Sequence, residues 1–329
     1  MRILVTGGAG FIGATTAAAL LDAGHEVVVL DDLSRGHRDA VPAGARFVEA
    51  DVTDATAIAP VVADDGFDAC VHFAALIEAG ESMQHPEAFF RVNTGGSATL
   101  LSVLLEHRVP RFVLSSTAAV YGEPHRIPID EDDPTDPTNA YGESKLLVER
   151  MLAWHHRIHG LKVASLRYFN AAGATPGRPE RHAPESHLIP LVLQVAAGTR
   201  PSIAVFGTDY PTPDGTAVRD YVHVADLADA HVRAVERVDQ HGQLTCNLGS
   251  GTGFSVQEVI AAARRVTGHP IPASASPRRD GDPASLVASS ERAGQLLDWQ
   301  PQRSDLDRLV ADAWTYASAS DPTDAAERP

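Results

Sequence analysis

Short apolar runs alternate with longer amphipathic stretches through the first half of the chain. The runs at 2–6, 26–30, 46–50, 68–73, 111–116 and 162–168 have the length and composition of strands. Between them, apolar residues recur at helical spacing near 11–23, 54–63, 87–107 and 140–159. Strands alternating with helices of this length predict βαβ units and a parallel, doubly wound sheet. Unbroken runs such as Val27-Val-Val-Leu30 fit strands covered on both faces.

After Asn170 the pattern loosens. Residues 171–186, with Pro176, Gly177, Pro179 and Pro184 among charges, read as loop, and so do 209–215 with Pro211 and Pro213. A helix near 188–198, a strand at 203–206, a helix at 225–238 and a strand at 244–248 follow. The predicted class is α/β, a Rossmann-type doubly wound parallel sheet over 1–170 to which 219–249 returns. Residues 171–218 and 250–318 would form a smaller C-terminal lobe of mixed helix and strand that holds substrate, and 319–329 a frayed tail.

Charge narrows the partners. A formal net charge of −16 over 329 residues argues against nucleic acid or an anionic membrane, though an anionic small molecule needs only a local basic pocket. Cys70 and Cys246 lie in apolar strand-like runs and read as small core residues. No Cys/His cluster has zinc spacing, so no metal is expected. The chain opens on a strand without a basic leader, and no apolar run reaches the length of a membrane span, which predicts a cytoplasmic protein.

Candidate chemistry begins between the first strand and the first helix, at Gly7-Gly8-Ala-Gly10-Phe11-Ile12-Gly13. Glycines at Gly-x-x-Gly-x-x-Gly spacing permit a tight turn and bring backbone N–H groups to a pyrophosphate at the helix N-terminus. Asp31, followed by Asp32, ends the second strand, where a dinucleotide fingerprint places an acid for the ribose hydroxyls. A carboxylate there repels a 2′-phosphate and favours NAD, while Arg35 keeps NADP open. Asp51-Val52 and Phe73-Ala74-Ala75 follow the third and fourth strands, where loops would line the two halves of the cofactor.

The fifth strand ends in hydroxyls, Ser115-Ser116-Thr117, and one segment later Tyr141 and Lys145 stand four apart. In a helix they share a face. A nearby ammonium favours phenolate, so the pair could take a proton from a substrate hydroxyl while another group takes a hydride.

These motifs resemble the extended short-chain dehydrogenase/reductase superfamily. Arg167-Tyr-Phe-Asn170, Val218-Arg-Asp-Tyr-Val-His223, Asn247-Leu-Gly249, Arg278-Arg-Asp-Gly-Asp282, His72-Phe-Ala and Gly80-Glu-Ser narrow the resemblance to UDP-glucose (UDP-galactose) 4-epimerases, in register from Met1 to about residue 315. The resemblance implies a catalytic group of Thr117, Tyr141 and Lys145, with Lys145 also on the nicotinamide ribose. It implies that Asn93, Ser115, Tyr168 and Phe169 line the cofactor or active-site wall. It further assigns the UDP-sugar to Asn170, His187, Leu188, Ala204, Phe206, Arg219, Tyr221, Arg279, Asp282 and Leu286. Two arginines offer forked donors to a pyrophosphate, and Asp282 can accept from a ribose hydroxyl.

Related dehydratases carry an Asp-Glu pair directly after the catalytic Thr. Ala118 and Ala119 stand there in this chain, and alanine cannot transfer a proton. Three departures from the family pattern stand out. His187 replaces Asn, Ile77-Glu78 replaces a polar-then-small pair, and Leu286 is smaller than the Tyr that gates the sugar's C2 substituent in narrow-specificity members. The implied activity is C4 inversion of a UDP-hexose through a transient 4-keto sugar. The alternatives are another UDP-sugar (N-acetylhexosamine, glucuronate or pentose) or a non-catalytic NAD-binding sensor. The resemblance also implies a homodimer through the helices at 87–107 and 140–159.

Overall fold

The strands of the first half are apolar on both faces because both faces of their sheet are covered. A computed structural model describes residues 1–279 and 282–317; the predicted tail at 319–329 lies outside the described residues. The first part of the chain runs β1 (Arg2–Thr6), α1 (Phe11–Asp22), β2 (Glu26–Asp31), β3 (Arg46–Glu49), α2 (Ala55–Asp65), β4 (Ala69–His72), α3 (Ala79–Ser82) and α4 (Pro86–Phe89). It continues with α5 (Ser97–Glu106), β5 (Arg111–Thr117), α6 (Ala140–His159), β6 (Lys162–Tyr168), β7 (Asn170–Ala172), α7 (Leu188–Ala196) and β8 (Ile203–Phe206). The last part is β9 (Val218–His223), α8 (Val224–His241), β10 (Gln243–Leu248), β11 (Gly253–Ser255), α9 (Val256–Thr267), β12 (Ala273–Ser276), β13 (Ser285–Leu286), α10 (Glu291–Leu297) and α11 (Leu306–Ala317).

Seven parallel strands form the main sheet in the order β3-β2-β1-β4-β5-β6-β10. Alternation splits each strand between two cores. Ile3, Val5, Val27 and Val29 pack with Ala17 and Leu20 of α1 and with Leu227, Ala234 and Val235 of α8. Leu4, Val28 and Leu30 face the opposite way, onto Ile58 and Val62 of α2, Leu100 and Leu104 of α5, and Val148 and Leu152 of α6. This is the Rossmann-type α/β sheet expected from the sequence. The order in which successive strands are added reverses between β1 and β4, so a crevice opens at their carboxyl ends.

The expected helix at 87–107 is α4 and α5 joined by a π-helical stretch at Phe90–Gly96. Helix α6 is uninterrupted. The Asn139 side chain accepts from the Gly142 amide at its N-terminus, and Gly160 at φ +70° ends it in the left-handed conformation.

A smaller sheet lies outside the main one. Its β9 pairs in parallel with β7 and β13 and antiparallel with β11, while β8 and β12 form a separate parallel pair. Two expectations change here. Residues 219–223 belong to β9 in this small sheet, so the return to the main sheet starts with α8 and ends with β10. Residues 170–172, read partly as loop, form a strand too short for a period-two pattern to register. Helices α7, α9 and α11 pack over the small sheet through Ile189, Val192, Val259, Ile260, Leu309 and Val310. Among the described residues no helix is long and apolar enough to cross a membrane.

Candidate active site

A cleft of about 370 Å³ occupies the crevice, and the glycine-rich turn, Asp31, Ser115, Thr117 and Tyr141 all line it. The turn fits a pyrophosphate by shape. Gly7 has φ +69°, and a Cβ there would lie 2.4 Å from the Ala74 nitrogen. A Cβ on Gly13 would lie 2.1 Å from the Gly7 carbonyl oxygen. No side chain caps α1 at Gly10, and Phe11, Ile12 and Gly13 line the cleft from its first turn. An anion is the natural partner of such a terminus.

Asp31 is held rigidly for the acid role. Its two carboxylate oxygens accept from the Ala9 amide at 3.0 Å and the Leu33 amide at 2.9 Å. Burial raises its pKa, and those two amide hydrogen bonds oppose the rise. Asp32 lines the cleft beside it but folds back on Ser34, whose amide and hydroxyl lie 2.9 and 2.6 Å from one oxygen. Asp51, Val52, Phe73, Ala74 and Ala75 all line the same cleft. Arg35, which kept NADP open, turns to the Ala183 carbonyl at 2.9 Å and to Glu81 at 3.2 Å, with Glu78 at 3.8 Å. Its charge is thus shared with two carboxylates, Glu78 and Glu81.

Thr117 stands against the Tyr141 phenol and acts to lower its pKa. The Thr117 oxygen accepts from the Ala119 amide at 3.1 Å, and its proton remains available to a phenolate. Ser115 Oγ and the Tyr168 hydroxyl bond to one another in the same wall.

Lys145 departs from expectation. It is buried, its Nζ donates to the Ser115 carbonyl at 3.0 Å, and burial lowers it to about 8. Tyr141 is pushed up to about 12, by burial first, with Glu78 adding to the rise and Thr117 opposing it. The lowering of the phenol by its helical neighbour is therefore not what the protein's own groups give. Burial of both side chains outweighs their proximity.

Asn93 also acts differently. It is buried in the π-helical stretch, accepts from the Leu76 amide at 2.8 Å, and donates to the Leu76 carbonyl and Ser144 at 3.0 and 2.9 Å. Two of these bonds hold Leu76 of the 74–77 loop and the third ties the side chain to α6, so it positions the wall of the cleft.

The assigned UDP-sugar residues fall into two groups. Phe169, Asn170 and His187 line the cleft. The rest gather on the small sheet and beside it. Ala204 and Phe206 occupy one face of β8, with the Arg279 guanidinium 4.1 Å from the Phe206 ring centre. Arg219 on β9 pairs with Asp282 and stands in register with Leu286 on β13. Tyr221 is buried opposite Asn170 on β7, and Leu188 opens α7. Leu286 and Phe169 pack on the same apolar cluster, Val120, Tyr121, Ile129 and Leu146, which joins the two groups.

Sequence reasoning missed the segment Arg178–His182, which forms one wall of the cleft. It crosses to the first sheet through Arg181, paired with Asp39 at 2.8 and 2.9 Å, and through its carbonyl, 2.9 Å from His37 Nε2. Prolines and charges made it read as plain loop. The available signal was a repeated Glu-x-His, at Glu180-Arg-His182 and Glu185-Ser-His187. At His187, burial works against the charge, but hydrogen bonds to Glu180 and Glu185 prevail and raise it to about 10.

Known proteins align with this geometry. The NAD dependent epimerase/dehydratase family matches residues 3–249. The chain is 51% identical over 319 residues to the UDP-glucose 4-epimerase of Corynebacterium glutamicum, covering 97% of this chain and 96% of that protein. A crystal structure of UDP-glucose 4-epimerase from Brucella ovis in complex with NAD superposes with a TM-score of 0.93 at 42% identity, over 96% of this chain and 98% of that one. The Bifidobacterium longum enzyme in complex with NAD⁺ and UDP gives a TM-score of 0.92 at 36% identity, over 97% and 99%.

Proposed function

This chain belongs to the NAD dependent epimerase/dehydratase family, and on that premise we propose that it is an NAD-dependent isomerase that inverts C4 of a UDP-hexose, interconverting UDP-glucose and UDP-galactose. The observation that carries this reading is the placing of Thr117 beside Tyr141 in the cleft, with Thr117 followed directly by Ala118 and Ala119. Acids at those two positions would serve water elimination; without them the oxidised sugar can only be reduced again.

Tyr141 takes the proton of the 4-hydroxyl and gives it back after inversion. Thr117 orients O4 beside Tyr141, its one proton going to the phenolate when that forms. Lys145 fixes the end of β5 through the Ser115 carbonyl. Bound NAD supplies the hydride acceptor and a positive charge that favours the phenolate. The glycine-rich turn, Asp31 and the 73–77 loop hold it, with Asn93 bracing that loop. Arg219 and Arg279 meet the substrate's diphosphate, Asp282 its ribose, and Leu188, Ala204, Phe206 and Tyr221 the walls of the uridine site. Phe169, Asn170, His187 and Leu286 enclose the hexose.

Leu286 supports a wider substrate range. A side chain smaller than Tyr beside Phe169 leaves room for an N-acetyl group at C2, so UDP-N-acetylgalactosamine is also a substrate in this reading. The enzyme acts as a cytoplasmic homodimer. Leu147, Met151, Trp154 and Ile158 recur at i, i+4, i+7 and i+11 on α6, and Trp154 and Ile158 are 58% and 65% exposed, a stripe suited to a second copy.

The test is incubation with UDP-galactose and chromatography of the sugar nucleotides. UDP-glucose should form without added reductant, and Tyr141→Phe should lower turnover at least 100-fold. Near-normal turnover by that variant sinks the assignment.

A further inference from the structure

Four side chains converge in the strap between β7 and α7, with the spacing Glu180-x-His182-x-x-Glu185-x-His187. Their ligand atoms, one from each residue, all lie within 4.8 Å of one another. His187 Nδ1 is 3.0 Å from an oxygen of Glu180 and 3.0 Å from one of Glu185. His182 Nδ1 is 3.2 Å from the same Glu180 oxygen and 3.8 Å from Glu185. Both carboxylates are buried, at 8% and 7% exposure.

We propose that these four residues bind one divalent transition-metal ion of the Zn²⁺ or Co²⁺ class, which fastens the strap along the cleft. The spacing is that of a coordination shell. Donors around a tetrahedral ion at ~2.0–2.1 Å lie roughly 3.3 Å apart, close to the 3.0–3.8 Å between the imidazole nitrogens and carboxylate oxygens. Two carboxylates balance the charge of a divalent ion, and a mixed nitrogen and oxygen set suits zinc, cobalt or manganese over calcium.

A second observation points the same way. The His182 Nδ1 is buried and meets no hydrogen-bond geometry with either glutamate, despite their closeness. That nitrogen stands 3.2 and 3.8 Å from the two carboxylates with no hydrogen bond of its own, and an ion held among the three would satisfy it. The expectation of no metal weighed only cysteine and histidine spacings, and this set is half glutamate.

The position gives the ion a task. Glu180, His182 and His187 line the cleft, and the strap is otherwise tied across it by exposed or half-exposed contacts from Arg35 and Arg181. One ion would join both ends of the segment 180–187 and hold that wall rigid.

The test uses the full-length protein, stripped with a chelator, dialysed, and titrated with Co²⁺. The expected result is a visible d–d absorption band that saturates at one ion per chain and is displaced by Zn²⁺. His182→Gln and Glu185→Gln should each weaken Co²⁺ binding at least 10-fold while keeping the far-ultraviolet circular dichroism of the parent. Trypsin cleavage after Arg181 should slow when Zn²⁺ is added to the parent. The same four residues could instead form a proton-bridged network of imidazolium and carboxylate. In that case parent and variants take up Co²⁺ alike, without a saturating band, and the proposal falls. Saturable binding that leaves cleavage after Arg181 unchanged overturns the fastening role.

Discussion

Replacing Thr117 by Val removes one hydroxyl and little volume, and so isolates a single hydrogen bond in the proposed chemistry. Thr117 is 8% exposed, its oxygen accepts from the Ala119 amide at 3.1 Å, and in the proposed chemistry its proton serves the Tyr141 phenolate. A hydrogen bond to a charged group contributes about 1.5–3 kcal/mol. Lost at the point where the phenolate forms, that corresponds to a fall of roughly 10- to 150-fold in kcat. The variant also loses the hydroxyl that lowers Tyr141, so the phenol's pKa rises above its already raised value of about 12. A base must be deprotonated to act, so the ascending limb of the kcat–pH profile moves to higher pH. The assay is initial-rate formation of UDP-glucose from UDP-galactose across a pH series, beside thermal unfolding. Thr117→Ser keeps the hydroxyl and should recover both rate and profile. Freeing the Ala119 amide also costs about 0.5–2 kcal/mol of stability, a structural loss that would lower the melting temperature without moving the pH profile. A Val variant within about threefold of the parent, below 1 kcal/mol, and with an unmoved profile refutes the reasoning.

Two further outcomes follow from the same geometry. Arg167→Met should destabilise the protein by about 3–5 kcal/mol, because it strips Glu149 of a guanidinium at 3.0 and 3.2 Å in a site where both side chains are under 10% exposed. Urea unfolding measures this, and a double variant that also replaces Glu149 by Leu should recover much of the loss; a single-variant loss under about 1 kcal/mol contradicts the argument. Glu78→Gln removes a negative charge that raises Tyr141, so the ascending limb of kcat against pH should move to lower pH, opposite in sign to Thr117→Val. A shift upward, or none, shows that Glu78 does not sense the phenol.

Much of this fold was legible because its strands carry two signals at once. Val27–Leu30 is apolar at every position, and the two cores it faces explain why an alternating pattern is absent. The glycine-rich turn was legible because only Gly fits beside Ala74 at Gly7 and against the Gly7 carbonyl at Gly13. Tyr141 and Lys145 were legible as helical neighbours, but their energetics were not. Sequence spacing gives proximity; burial, which sets Lys145 at about 8 and Tyr141 at about 12, is a property of the assembled wall. The strap was illegible for a related reason. Its contacts to Asp39 and His37 span more than 140 residues, and no local pattern encodes them.

The Arg219-Asp220-Tyr221 sequence shows how an apparently arbitrary motif follows from a strand's period of two. Arg219 and Tyr221 share one face of β9, and Asp220 points to the other. On that other face Asp220 is fully buried, and its two oxygens accept from the Ser250, Gly251 and Ala288 amides at 2.7, 3.1 and 3.1 Å and from the Ser250 hydroxyl at 2.6 Å. Burial raises its pKa, and these four bonds pull against the rise. The carboxylate therefore ties the turn after β10 and the segment after β13 to the middle of β9. That tie fixes β13 in register, sets Leu286 beside Arg219, and brings Asp282 within reach of its guanidinium although 63 residues separate them. A change of Asp220 to Asn would set an NH2 donor against either the Ser250 amide and hydroxyl or the Gly251 and Ala288 amides. The damage would then reach the proposed diphosphate site through register, without touching any residue in it.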